Sequence, residues 1–192
     1  MPQPHLIVVL GSPRREGNSA TLAQRAIAGA EAAGAKVTTF FLHEMDIEPC
    51  AACDACRKST SAECIIEDEM HLIYPELRRA DALLIAGPVY WFTMSAQTKL
   101  FLDRCYALGG PEGHVLGQKR VGMVLTYGDD NAFNSGAVNA LRAFQDSFNY
   151  VGAEIVGMVH GSAGEAGEVR ENAELMDAAY ALGEKLVSLG QA

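Results

Sequence analysis

The chain has 192 residues, 49% of them hydrophobic, and a formal net charge of −9. That length fits one domain over residues 1–192 with a sizeable core, and the acidic balance without any basic run disfavours nucleic acid or an anionic membrane as the main partner. No stretch has signal-peptide character or transmembrane length, so a cytoplasmic location is expected, with the five cysteines reduced unless they bind something.

Leu6–Leu10 is a short apolar run, rich in β-branched residues, that stops at Gly11-Ser12-Pro13, the pattern of a buried strand ending in a tight loop. A helix is predicted over Ser19–Ala33, with Leu22, Ala26, Ile27 and Ala30 on one face, Gly34 at its end, and Asn18 and Ser19 as N-caps. The loop between, Ser12 to Thr21, is rich in hydroxyl and amide side chains and opens onto a helix N-terminus, where free N–H groups and the helix dipole attract an anion. Arg14 adds a fixed charge suited to phosphate. Neither G-x-x-x-x-G-K-[ST] nor G-x-G-x-x-G is present, so the loop suits a terminal phosphomonoester better than a triphosphate or dinucleotide. An ordinary capped helix after a β-turn is the plain alternative.

A second strand is predicted over Lys36–Leu42, followed by an irregular stretch, 43–69. It holds Cys50-x-x-Cys53-x-x-Cys56 and, after seven residues, Cys64. Short spacings of this kind let one loop wrap a [4Fe–4S] cube; zinc on four thiolates and no metal at all are the other readings. Ile65 stands where a ferredoxin's fourth cysteine is often followed by Pro. Glu67-Asp68-Glu69 reads as dipole compensation ahead of a helix over Met70–Arg79, which Pro75 is expected to kink or restart.

The third strand, Ala82–Ala86, leads into Gly87-Pro88-Val89-Tyr90-Trp91-Phe92-Thr93-Met94-Ser95, and a helix over Ser95–Tyr106 follows with Ser95 as its cap. Three consecutive aromatics cannot all enter one core, so at least one ring is expected to face solvent or a flat ligand; an aromatic corner buried under 43–69 is the alternative. A fourth strand, Val121–Thr126, ends at Tyr127-Gly128-Asp129-Asp130-Asn131, either a plain turn or one whose N–H groups meet a heterocycle edge. A helix over Gly136–Val151, a strand over Glu154–Val159 and a helix over Asn172–Leu189 complete the chain. Alternating strands and helices imply a parallel sheet covered on both faces, with the loops after the first, third and fourth strands converging on one site. His5, His43 and His71 read as surface residues. His114 and His160 have no Ser or Cys partner at a known spacing, which leaves a Cys–His hydrolase a minor alternative. Cys105 reads as core.

The motifs G-S-P-R-x-x-G-N-S after the first strand and G-P-V-Y-W-F-T-M-S-A-Q-T-K-x-F-x-D-R at 87–104 resemble the flavodoxin-like NAD(P)H-dependent FMN reductase family, its iron–sulfur flavoprotein branch above all, over roughly residues 5–160. The resemblance implies a flavodoxin-like α/β three-layer sandwich, a five-stranded parallel sheet of order 2-1-3-4-5 and non-covalent FMN. It places the phosphate on Ser12, Arg14, Asn18, Ser19 and Thr21, and the isoalloxazine against Pro88, Val89, Tyr90, Trp91 and Phe92. Tyr127, Gly128 and Asp129 would close over the other side. The flavin carries the chemistry, so no catalytic side chain is expected; NAD(P)H is the implied reductant, and a quinone, free flavin or similar small molecule the acceptor. Cys50, Cys53, Cys56 and Cys64 are similar to that branch's compact cluster motif, with the last spacing at its long end. The branch implies an alternative, an electron carrier relaying electrons between a [4Fe–4S] cluster and FMN from a ferredoxin-like protein. Homodimers or homotetramers are usual in the family.

Overall fold

The computed structural model describes residues 3–58 and 64–188. Five parallel strands, β1 (His5–Leu10), β2 (Lys36–Phe41), β3 (Ala82–Tyr90), β4 (Arg120–Tyr127) and β5 (Glu154–Ser162), lie in the order β2-β1-β3-β4-β5, the 2-1-3-4-5 order implied by the resemblance. Leu6 pairs with Val37 on one side and Ala82 on the other, and the register is regular except for one extra residue in β5 opposite Val121/Gly122. Five helices cover the sheet: α1 (Asn18–Ala32), α2 (Met70–Arg79), α3 (Ala96–Arg104), α4 (Ala137–Val151) and α5 (Ala173–Val187).

Alternation along each strand divides the core in two. Ile7, Val9, Leu83, Ile85, Met123 and Leu125 pack with the α2, α3 and α4 layer, whereas Leu6, Val8, Leu84 and Val124 pack with α1 and α5. β1, β3 and β4 are buried on both faces, which is why they read as continuous apolar runs. β2, at the edge, stays partly exposed.

Several expectations need correction. The N-cap of α1 is Gly17, in extended conformation and without a side-chain cap bond, while Asn18 is the first helical residue; its amide is drawn away to a distant loop described below. Pro75 does not interrupt α2, because Met70, Ile73, Tyr74 and Leu77 form a buried stripe whose packing outweighs one lost backbone bond. β3 runs on to Tyr90 because the chain folds back and pairs Val89 with Met94 and Tyr90 with Thr93. The predicted Ser95–Tyr106 helix gives way after Arg104 to a 3₁₀ turn, Cys105–Leu108, followed by a two-residue hairpin pairing Gly109–Gly110 with Gly113–His114. His5 is buried and bonds Thr38 Oγ1 at 2.9 Å instead of lying on the surface. Leu189, the expected end of the last helix, lies outside the described residues. Gly34, with φ +88°, ends α1 as the sequence suggests, in the left-handed conformation that glycine adopts without penalty.

Candidate functional site

The loop after β1 is stitched to the start of α3. Gly11 N donates to Ala86 O at 2.8 Å. Ser95 Oγ donates to Gly11 O at 2.7 Å and accepts from Thr98 N at 3.3 Å, capping α3 as expected. A Cβ on Gly11 would stand 1.9 Å from Thr98 Oγ1, so only glycine allows this approach. Ser12 Oγ accepts from Arg14 N at 3.0 Å and Gly17 N donates to Arg14 O at 3.2 Å, folding the loop into a tight cradle. The first α-helical bond runs from Thr21 N to Gly17 O, which leaves the N–H groups of Asn18, Ser19 and Ala20 without helical acceptors. The two arginines part company here. Arg15 pairs with Glu44 and lies over the Phe41 ring at 4.6 Å, whereas Arg14 is exposed and lines the cleft.

That cleft, about 110 Å³, is walled by the Ser12–Ser19 loop, Pro88–Tyr90, Thr126–Gly128 and Ala163–Gly164. Asn18 fixes its far wall. The side-chain amide donates to Ala163 O at 3.0 Å and Glu165 O at 2.8 Å, and Oδ1 accepts from Gly167 N at 2.9 Å and Val169 N at 3.3 Å. All its hydrogen-bonding capacity is spent on the 163–169 segment, so only its backbone N–H is left for an anion. Thr21 Oγ1 is buried without a hydrogen-bond partner among the described residues and does not line the cleft. The 163–166 wall has only one signal in the sequence, the glycines at 161, 164 and 167, which mark a chain whose backbone approaches other groups closely.

The aromatic loop is a β-hairpin tip. Trp91 and Phe92, with φ of 49° and 66°, occupy the two central positions of a turn that normally takes Asn-Gly, and left-handed backbone at a bulky residue is strained. Tyr90, Trp91 and Phe92 are 41%, 91% and 56% exposed, so the aromatic corner is not buried under the cysteine loop. Asn139 Nδ2 on α4 donates to Phe92 O at 3.0 Å and pins the tip from behind. On the opposite side Tyr127 is buried, with its hydroxyl pKa raised by that burial, and lies 3.3 Å from His160 Nδ1. Gly128 lines the cleft, whereas Asp129 is exposed and its Oδ1 accepts from Asp130 N at 3.0 Å.

A second feature lies beyond β2. Cys50, Cys53, Cys56 and Cys64 line one small cavity, about 20 Å³. Cys50 and Cys53 are exposed and Cys56 is buried, its thiol pKa pushed up chiefly by burial. Ala52 and Asp54, on either side of Cys53, both have left-handed backbone, with φ of 51° and 57°. Among the described residues no three of His, Cys, Asp or Glu stand close enough to hold a metal ion. Cys105 is a core residue, as expected, its thiol pushed up to about 12 by burial. A larger concavity, about 690 Å³, runs between α3 and α4 and shares Cys50, Ala52, Asp54 and Tyr106 with the thiol cavity.

Residues 4–168 match the family model for NADPH-dependent FMN reductase. The chain belongs to that family. An iron–sulfur flavoprotein of Methanosarcina thermophila is 31% identical over 149 residues, covering 78% of this chain and 75% of that one. A putative NAD(P)H-dependent FMN-containing oxidoreductase of Bacillus subtilis is 26% identical, covering 92% of this chain and 95% of the relative. Among solved structures, the NAD(P)H:quinone oxidoreductase of Methanothermobacter marburgensis superposes with a TM-score of 0.77 at 18% identity, over 96% of this chain and 98% of that one; at that identity the likeness shows the shared fold.

Within this member of the family the structure gathers Ser12, Arg14, Asn18, Ser19, Pro88, Val89, Tyr90, Tyr127 and Gly128 around one cleft. Trp91 and Phe92, which follow Tyr90 on the hairpin tip, are not among the lining residues, nor are Thr21 and Asp129.

Proposed function

We propose that the protein is an FMN-dependent NAD(P)H oxidoreductase that passes electrons to a quinone, free flavin or similar small acceptor. The observation that carries this reading is the cleft lined together by an open helix N-terminus, by Arg14, which forms no ion pair among the described residues, and by Tyr90 at the base of the exposed aromatic hairpin. The three open N–H groups and Arg14 suit a dianionic phosphomonoester. A cleft of about 110 Å³ suits the phosphate and ribityl end of FMN, leaving the ring system to lie against Tyr90, Trp91 and Phe92. The putative Bacillus subtilis relative, named as FMN-containing, supports the same cofactor.

FMN, when bound, supplies the hydride and one-electron chemistry. This chain's residues bind and orient it. Ser12 shapes the phosphate cradle, Asn18 holds the 163–169 wall in place, and Tyr127 closes the sheet side with a neutral hydroxyl. The Tyr90–Phe92 segment would support one face of the ring system, leaving the other face open to a nicotinamide or quinone. No side chain is assigned as nucleophile or general base. A homodimer or homotetramer fits the apolar exposure at Trp91, Phe92 and Phe133, and no helix is long and apolar enough to cross a membrane among the described residues.

The four cysteines on one cavity favour a second reading, an iron–sulfur flavoprotein that carries electrons between a [4Fe–4S] cluster and FMN. Their thiol chemistry and their C-x-x-C-x-x-C spacing in the sequence suit such a cluster, and the Methanosarcina thermophila relative is named as one. Anaerobic turnover separates the two. Rapid NADPH oxidation with a quinone supports the reductase, whereas no turnover together with prompt ferredoxin-driven flavin reduction supports the carrier.

A further inference from the structure

Arg104, at the end of α3, is the largest fully buried side chain, with 1% of its surface exposed. A guanidinium in that position must be neutralised and hydrogen-bonded, and its partners among the described residues, Glu48, Cys64 and Asp68, lie at the two ends of the cysteine loop. Nη1 donates to Glu48 O at 2.7 Å and to the Asp68 carboxylate; Nη2 donates to Asp68 Oδ1 at 3.1 Å and lies 3.5 Å from Cys64 Sγ. Asp68 completes the closure by accepting from Glu48 N at 2.8 Å and Met70 N at 3.0 Å. Tyr74 Oη donates to Arg104 O at 3.0 Å and fixes the backbone from below. Nε has no partner. Glu67-Asp68-Glu69 is therefore more than dipole compensation, because Asp68 forms a buried ion pair across the loop.

The thiol site is consequently held unequally. Cys50 and Cys53 are exposed, on a segment with left-handed backbone at Ala52 and Asp54, whereas Cys64 is fixed against a buried cation. From this asymmetry we propose that Arg104 is a positioning and charge-compensating residue for the four-cysteine site, holding Cys64 as a preset corner while the 50–56 segment adjusts to what the sulfurs take up. The inference rests on the cluster reading given above. Four thiolates around an iron–sulfur core form an anionic assembly, and a desolvated guanidinium that donates to one sulfur favours its binding and stabilises the added electron on reduction. Lysine keeps the charge but cannot span Glu48 O, Asp68 and Cys64 at once.

The test compares wild type, Arg104→Lys and Arg104→Met after anaerobic reconstitution with ferrous iron and sulfide. Iron and sulfide per chain and the reduction potential of the centre are measured, with far-UV circular dichroism as the check on folding. Wild type is expected to hold about four irons per chain. Folded Arg104→Lys and Arg104→Met are expected to lose iron at least threefold, the Met variant more, and any centre retained by the Met variant to have a lower potential. Wild-type iron content and potential in a folded Arg104→Met protein overturn the proposal and leave the cluster reading standing. If that variant does not fold, unchanged iron and potential in Arg104→Lys overturn it equally. Wild-type protein that takes up no iron overturns the cluster reading, and the role of Arg104 falls with it.

Discussion

Replacing Arg14 by Ala isolates the phosphate contact from the fold. The side chain is exposed and takes part in no ion pair or cation–π contact among the described residues, in contrast to neighbouring Arg15 with Glu44 and Phe41. Truncation therefore removes no ion pair or cation–π contact seen among the described residues, and stability should change by no more than about 0.5 kcal/mol. A charge-assisted hydrogen bond to phosphate is worth about 1.5–3 kcal/mol, which corresponds to a loss in FMN affinity of about 10- to 150-fold. Fluorescence titration with FMN and with riboflavin, which lacks the phosphate, makes the attribution specific. The variant should lose affinity for FMN while its riboflavin affinity stays within about twofold, and Arg15→Ala should leave both nearly unchanged. Equal losses for FMN and riboflavin, or an unchanged FMN affinity, would refute the assignment of the phosphate to this loop.

Gly11→Ala pushes a methyl group to within 1.9 Å of Thr98 Oγ1; overpacking of about 1–3 kcal/mol should lower the Tm by several degrees and weaken FMN, both readable in one thermal melt with and without cofactor. Trp91→Asn with Phe92→Gly gives the hairpin the turn residues its backbone demands; the Tm should rise, while the apparent KM for a quinone worsens, and a fall in Tm would contradict the strain assigned to the tip. Asp68→Asn tests the buried ion pair through pH. Burial pushes the Asp68 pKa up, but hydrogen bonds from Arg104 and from the N–H groups of Glu48 and Met70 outweigh it and hold the pKa below its ordinary value near 3.8. A depressed carboxylate stabilises the fold above its unfolded pKa and loses that stabilisation as pH falls through the folded one. The variant should cost about 3 kcal/mol near neutrality, as removing one partner of a buried pair does, and the gap in denaturation midpoint should narrow below about pH 4.

Much of the frame was legible because it depends on local pattern. The apolar runs of β1, β3 and β4 are continuous because both sheet faces bury them, and the stops at Gly11, Gly34 and Ser95 follow from turn and cap chemistry. What escaped detection depends on distant contacts. Asn18 looks like a cap, yet its amide serves backbone groups 145 and 147 residues away. The Arg104–Asp68 pair spans 36 residues, and nothing near either one marks it as buried. Trp91-Phe92 carries no turn signal, because the hairpin is enforced by its flanking strands and by Asn139 against the preference of the residues themselves.

The most direct test is anaerobic addition of NADPH, and separately NADH, to the purified protein loaded with FMN, followed by the visible flavin absorbance. The account predicts that a single FMN per chain is retained and that its absorbance bleaches on addition of reduced nicotinamide and returns on addition of a quinone. A protein that retains no flavin after incubation with FMN would contradict the central claim.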